Sequence, residues 1–159
     1  MKSTDMIAFH LPIVPPRATS QGAGKRIQVV KGRPRFFKNR RQELAEHNYM
    51  LLCAPYRPVS PLAGPVALTV DFVFPWRAGE PRRNRALGRI PKTTKPDGGN
   101  MLKALEDCLT KLGFWFDDAQ VADERVTRAW GDQVGIYVAI TPIHLELPLF
   151  ASHTQPIPF

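Results

Sequence analysis

The sequence has no apolar run of the roughly eighteen residues that a membrane-spanning helix requires. Its first residues, MKSTDMIAFHLPI, lack the long apolar segment and small-residue cleavage site of a signal peptide, so a cytoplasmic location is the default expectation. Cysteine is scarce. Cys53 and Cys108 are the only two, each on the apolar side of a predicted helix, and their separation excludes a zinc site. They read as reduced core thiols. His10, His47, His144 and His153 are scattered without metal-ligand spacing, and there is no internal repeat. Acidic residues are sparse in the first part of the chain. Residues 1–95 hold 5 Asp/Glu against 18 Lys/Arg, whereas residues 96–159 hold 9 against 4. The signatures of helix-turn-helix, zinc-finger and RNA-recognition domains are also absent, which leaves backbone and shape as the features of a nucleic acid it could read.

A chain of 159 residues with 43% apolar content is long enough to bury a core and reads as one globular domain. Residues 6–14 predict a first strand, ended by Pro15-Pro16. Residues 17–26 predict a loop, and residues 27–37 a hairpin turning near Lys31-Gly32. From Asn39, a candidate N-cap, to Ala54 the pattern is helical, with Leu44, Ala45, Met50, Leu51 and Leu52 supplying apolar surface. Residues 66–74 alternate as a strand, with Val66, Leu68, Val70, Phe72 and Phe74 on one face. Residues 75–96 carry four prolines and seven Lys/Arg and predict an irregular loop. A helix over about residues 100–112 buries Met101, Leu102, Leu105, Cys108, Leu109 and Leu112 and stops at Gly113. Residues 120–129 and 134–141 predict two antiparallel strands joined around Gly131-Asp132. Domain 1–141 is then followed by a proline-punctuated tail, 142–159.

Chemistry concentrates between Lys95 and Arg128. Asp97 precedes the second helix and Asp117-Asp118 follow it, so a chain that folds back can bring hard oxygen donors together. Magnesium needs few protein carboxylates and keeps its waters, so two or three aspartates suffice. Bound there, it can activate water and neutralise charge during phosphodiester hydrolysis. A plainer reading stays open, with Asp97 in a Pro-Asp-Gly turn and Asp117-Asp118 in a solvated loop. Lys103 shares a helix face with Asn100 and Asp107. It is either an ordinary i,i+4 partner of Asp107 or an ammonium placed near a scissile phosphate.

Sixteen of the 22 cations fall in residues 17–41 and 77–95, two Pro/Gly-rich segments suited to wrapping a polyanion. Arg17, Lys25, Arg26, Arg33, Arg82, Arg83 and Lys95 are the candidate DNA contacts. Clustered carboxylates in a cationic protein favour a nuclease over a passive binder.

The segment DGGN, Lys103, DCL, GFWF and DDAQV resembles the signature of the RusA-type Holliday junction resolvases. The resemblance is specific in this third of the chain. It implies a small α/β (α+β) homodimer, with a mixed, largely antiparallel sheet packed against two main helices. It implies four-way DNA junctions as partner and magnesium as cofactor, with manganese able to substitute, and paired symmetric nicks as the product. No nucleotide, organic cofactor or membrane is implied. Carried over, Asp97 and Asp118 are catalytic and metal-binding, Asp117 assists with the metal, Lys103 is the catalytic lysine, and Asn100 and Asp107 support. One position departs from the pattern. The family turn reads Asp-x-Asp-Asn, and here the second aspartate is Gly99. Either a neighbouring carboxylate compensates, or metal affinity or rate is reduced, or the chain binds junctions without cutting them. A less selective nuclease for branched DNA is a further alternative.

Overall fold

The computed structural model describes residues 6–18, 26–37 and 40–144. Its strands are β1 (Ile7–Leu11), β2 (Arg26–Val30), β3 (Arg33–Phe37), β4 (Val66–Phe74), β5 (Arg89–Pro91), β6 (Val121–Gly131) and β7 (Gly135–Pro142). Its helices are α1 (Arg40–Cys53), the short α2 (Arg82–Arg85) and α3 (Gly98–Leu112). A five-stranded sheet has the order β1-β7-β4-β6-β5, and β2 and β3 form a separate hairpin. Only β4 and β6 run parallel; the other pairs are antiparallel. This is the α+β domain with a mixed, largely antiparallel sheet that the sequence predicts.

β4 is the axis of the fold. Val66, Leu68, Val70, Phe72 and Phe74 are fully buried, as their alternation requires. Burying each such side chain contributes about 1.5–3 kcal/mol. They pack with Met101, Leu105 and Leu109 of α3 and with Tyr49 and Cys53 of α1. Burial raises the Cys53 thiol to about 12, with Cys108 adding to the effect, which keeps it protonated and unreactive.

Two expectations change and one is refined. The antiparallel strands predicted over residues 120–129 and 134–141 form as β6 and β7, but they lie on opposite sides of β4 rather than against each other. Both strands find a more apolar neighbour in β4 than in one another, and Gly131 to Val134 carries the chain across the end of β4. The loop over residues 75–96 contains α2 and β5, the latter paired with β6. Helix α1 buries Ala45, Tyr49 and Cys53, whereas Leu44 and Leu51 are exposed. The four-residue spacing of the buried set follows the helix turn. The hairpin turn at Lys31-Gly32 is as predicted, with both residues at positive φ. The Asn39 cap, Lys25 and the tail beyond His144 lie outside the described residues.

Candidate active site

Helix α3 organises the site. Asp97 is its N-cap: Oδ1 accepts the Asn100 backbone N–H at 2.9 Å, and Oδ2 accepts the Asn100 side-chain amide at 2.7 Å. Gly98 lets the helix approach β6 closely, since an added Cβ would stand 3.2 Å from Val126 Cγ1. At the other end Gly113 closes the helix at φ 79°. The α3 face between these caps carries Asn100, Lys103 and Asp107, spread over about 10 Å of helix at 1.5 Å per residue. Lys103 Nζ stands 3.4 Å from Asp107 Oδ1 and 4.0 Å from Asp118 Oδ2. These carboxylates, Asp107 first, hold the lysine above its usual range.

Asp117 is differently employed. Its side chain accepts the Ala119 N–H at 2.8 Å and caps a short 3-10 turn, Asp118–Gln120. Gln120 returns the contact by accepting from Phe116 and Asp117 backbone N–H groups and donating to the carbonyls of Leu62 and Gly64. That box fixes where Asp118 leaves the chain, on the Lys103 side. The fold therefore brings Lys103, Asp107 and Asp118 together and places Asp97 and Asn100 at the N-terminal end of the same face.

Two carboxylates escaped the sequence reading. Glu106 is 7% exposed, and Glu124 sits on β6 opposite Leu68, on the face toward α3. Burial first, then the charge of Glu124, raises Glu106 to about 7, with Lys103 opposing and Asp118 and Asp107 adding. Nothing in the local sequence sets Glu106 apart from the other polar residues of the helix. Only the packing of α3 on β6 turns it inward.

A divalent cation can be tested against this donor set. Among the described residues no three His, Cys, Asp or Glu side chains are close enough to enclose an ion. Asp97 and Asp118 are nonetheless hard oxygen donors, and magnesium completes its shell with water and substrate phosphate when only one or two carboxylates serve it. By the chemistry of its donors this set suits a sparsely held ion and not a protein cage.

Of the candidate DNA contacts, Arg17, Arg33, Arg82, Arg83 and Lys95 are exposed, and Arg26 begins β2. A groove of about 680 Å³ runs between the β1–β2 connection and the start of α1, lined by Val14, Arg17, Arg40, Arg41, Leu44 and Asn48. Lys92, counted among the loop cations in the sequence, is a correction: it is 3% exposed and faces the interior.

Comparison with known proteins gives concordant results. The profile of the family described as endodeoxyribonuclease RusA matches residues 13–141. The uncharacterized protein YqaN of Bacillus subtilis strain 168 is 27% identical over 129 residues, covering 72% of this chain and 90% of that protein. The crossover junction endodeoxyribonuclease RusA of Escherichia coli strain K12 is 46% identical over 48 residues, which is 30% of this chain and 40% of that protein. The corresponding enzyme of Enterobacteria phage 82 matches to the same extent.

Proposed function

The chain belongs to the endodeoxyribonuclease RusA family, and from that premise we propose that it is a structure-specific endonuclease that resolves four-way DNA junctions. The observation that carries this reading is the position of Lys103, between Asp107 at 3.4 Å and Asp118 at 4.0 Å on the helix that Asp97 caps. An ammonium held among carboxylates is a poor site for an anion alone, but a suitable one for a phosphate that arrives with a cation. Asp97 and Asp118 would hold that cation, magnesium or manganese, with Asp117 beside them. When bound, it supplies charge neutralisation at the phosphate and a more acidic water. Lys103 stabilises charge on the phosphoryl oxygens as the bond breaks, and Asp107 orients the lysine. Asn100 holds the Asp97 carboxylate in one rotamer through paired contacts to both oxygens. Arg17, Lys25, Arg26, Arg33, Arg82, Arg83 and Lys95 bind phosphates. A two-fold homodimer would set one such site on each of two like strands of a junction.

A second reading has its own observation. Gly99 supplies no carboxylate where the resemblance expects one, which favours a junction binder with little cleavage. Space does not impose the glycine. An added Cβ meets only Asp97 Oδ1, at 3.9 Å, and an acidic residue in the first turn of a helix is favourable.

The test is cleavage of a labelled synthetic four-way junction with magnesium, beside an EDTA control and a linear duplex of the same sequence. We expect paired nicks on the junction alone, lost with EDTA and reduced by at least about a hundredfold in Asp118→Asn and Lys103→Met. Gly99→Asp is expected to raise the rate. Tight junction binding without nicks, restored to nicking by Gly99→Asp, would establish the second reading instead.

A further inference from the structure

Lys92 is a buried cation that the proposed mechanism does not use. It follows β5, is 3% exposed, and stands 5.0 Å from the ring centroids of both Phe74 and Trp130, at the ends of β4 and β6. Its ammonium donates to Thr94 O at 2.6 Å, Thr94 Oγ1 at 3.0 Å and Lys95 O at 2.7 Å. A lysine has three donors, and all three go to the segment just before Asp97. Arg128 on β6 reaches the same segment, donating from Nη1 to Thr94 O at 3.1 Å and Pro96 O at 2.6 Å. The two residues are themselves joined, since the Lys92 N–H donates to Arg128 O at 2.9 Å.

Residues 94–96 thus give their carbonyls to cations rooted in the sheet. The next residue is Asp97, whose Cα must be fixed both for its capping role and for its place on the α3 face. Burial, with the nearby guanidinium groups of Arg128 and Arg17, lowers the proton affinity of Lys92, so the charge persists there because these carbonyls and aromatic faces receive it.

We propose that Lys92 and Arg128 are positioning residues that clamp the carbonyls of residues 94–96 from inside the domain and so fix where Asp97 enters the active site. Neither is a catalytic residue, and Lys92 makes no contact with DNA. The significance for catalysis rests on the reading of Asp97 above, because small displacements of a reacting group cost about a hundredfold in rate.

Lys92→Met and Arg128→Met test the clamp by amide hydrogen exchange, thermal melting, junction binding and single-turnover cleavage at saturating junction. The clamp predicts exchange at residues 97–101 faster by about tenfold or more, with protection in β4 and β7 unchanged. It also predicts a junction Kd within about twofold of the parent and a cleavage rate lower by about tenfold or more, a split between binding and turnover that simple loss of fold does not give. Unchanged exchange at residues 97–101 in a folded variant would overturn it, as would faster exchange spread evenly over the sheet. If Lys92→Met does not fold, Arg128→Met decides by the same criteria. A parent protein that binds but never cleaves would refute the nuclease reading while the exchange comparison still decides the clamp.

Discussion

Glu106 shows how much a single side chain depends on what the fold sets beside it. Its carboxyl is raised to about 7, chiefly by burial and then by Glu124. In the unfolded chain the same group titrates near 4.3. Between those values the folded state binds the proton and the unfolded state does not, so protonation stabilises the fold. That contribution is complete below about pH 4.3 and is lost as pH rises through about 7. Glu106→Gln keeps the shape and removes the charge. We expect its Tm to exceed that of the parent by a few degrees at pH 8 and to match it near pH 4, with the parent's decline across this range reduced. Equal Tm differences at both pH values, measured by calorimetry, would remove the electrostatic account. Gly98 and Gly99 illustrate a second point at this scale. The first is required by the 3.2 Å approach to Val126, whereas a Cβ at the second would meet only Asp97 Oδ1 at an ordinary 3.9 Å, so only the first glycine is structural.

At the scale of elements, α3 links stability to the site. One face buries Met101, Leu102, Leu105, Cys108 and Leu109, and the other presents Asn100, Lys103 and Asp107. The apolar face holds the helix on β4 and β6, and the polar face inherits that precision. Leu105 is fully buried at the centre of the packing. Leu105→Ala should cost about 2–5 kcal/mol in urea unfolding, through lost burial and the cavity left behind. A cost below about 1 kcal/mol would mean that the helix–sheet contact is looser than described. The same element shows why the periodicity of residues 100–112 read correctly. A helix with one apolar stripe has one way to face a sheet. The two C-terminal strands offered no such constraint. Alternation identifies a strand and its buried face, but not its neighbour, so the short link at Gly131-Asp132 gives two antiparallel strands without saying that β4 lies between them.

Across the whole molecule the charge is uneven, +13 over residues 1–95 and −5 over residues 96–159. The fold nevertheless intermixes the two parts, because β6 returns from the acidic segment to lie between β4 and β5. The cationic and the carboxylate-bearing segments therefore belong to one body, and the excess of positive charge is suited to drawing in a polyanion. Binding should weaken steeply with salt, since each neutralised phosphate releases condensed counterions. The logarithm of affinity for a junction should fall against the logarithm of salt with a slope of about −0.9 per phosphate contact. Arg82→Ala and Arg83→Ala should each lower that slope by about one unit. A flat salt response would count against the basic-loop interface.

The sequence by itself determined the single α+β domain, the apolar stripe and Gly113 stop of α3, the strand at residues 66–74 and the shared helix face of Asn100, Lys103 and Asp107. These follow from local rules, periodicity and turn chemistry, which act over a few residues and leave a mark in the order of amino acids. Tertiary structure alone decided that β6 pairs with β4 rather than β7, that Glu106 turns inward on the side of Glu124, and that Lys92 is buried. Each depends on partners 18 or more residues away along the chain. Two exceptions mark the boundary: the Asp117 cap is local but too short to announce itself, and the bonds of Lys92 to residues 94 and 95 are local yet exist only because Phe74 and Trp130 enclose it. Propensity carries no information about such enclosure, because burial is a property of what the rest of the chain brings to a side chain and not of the side chain itself.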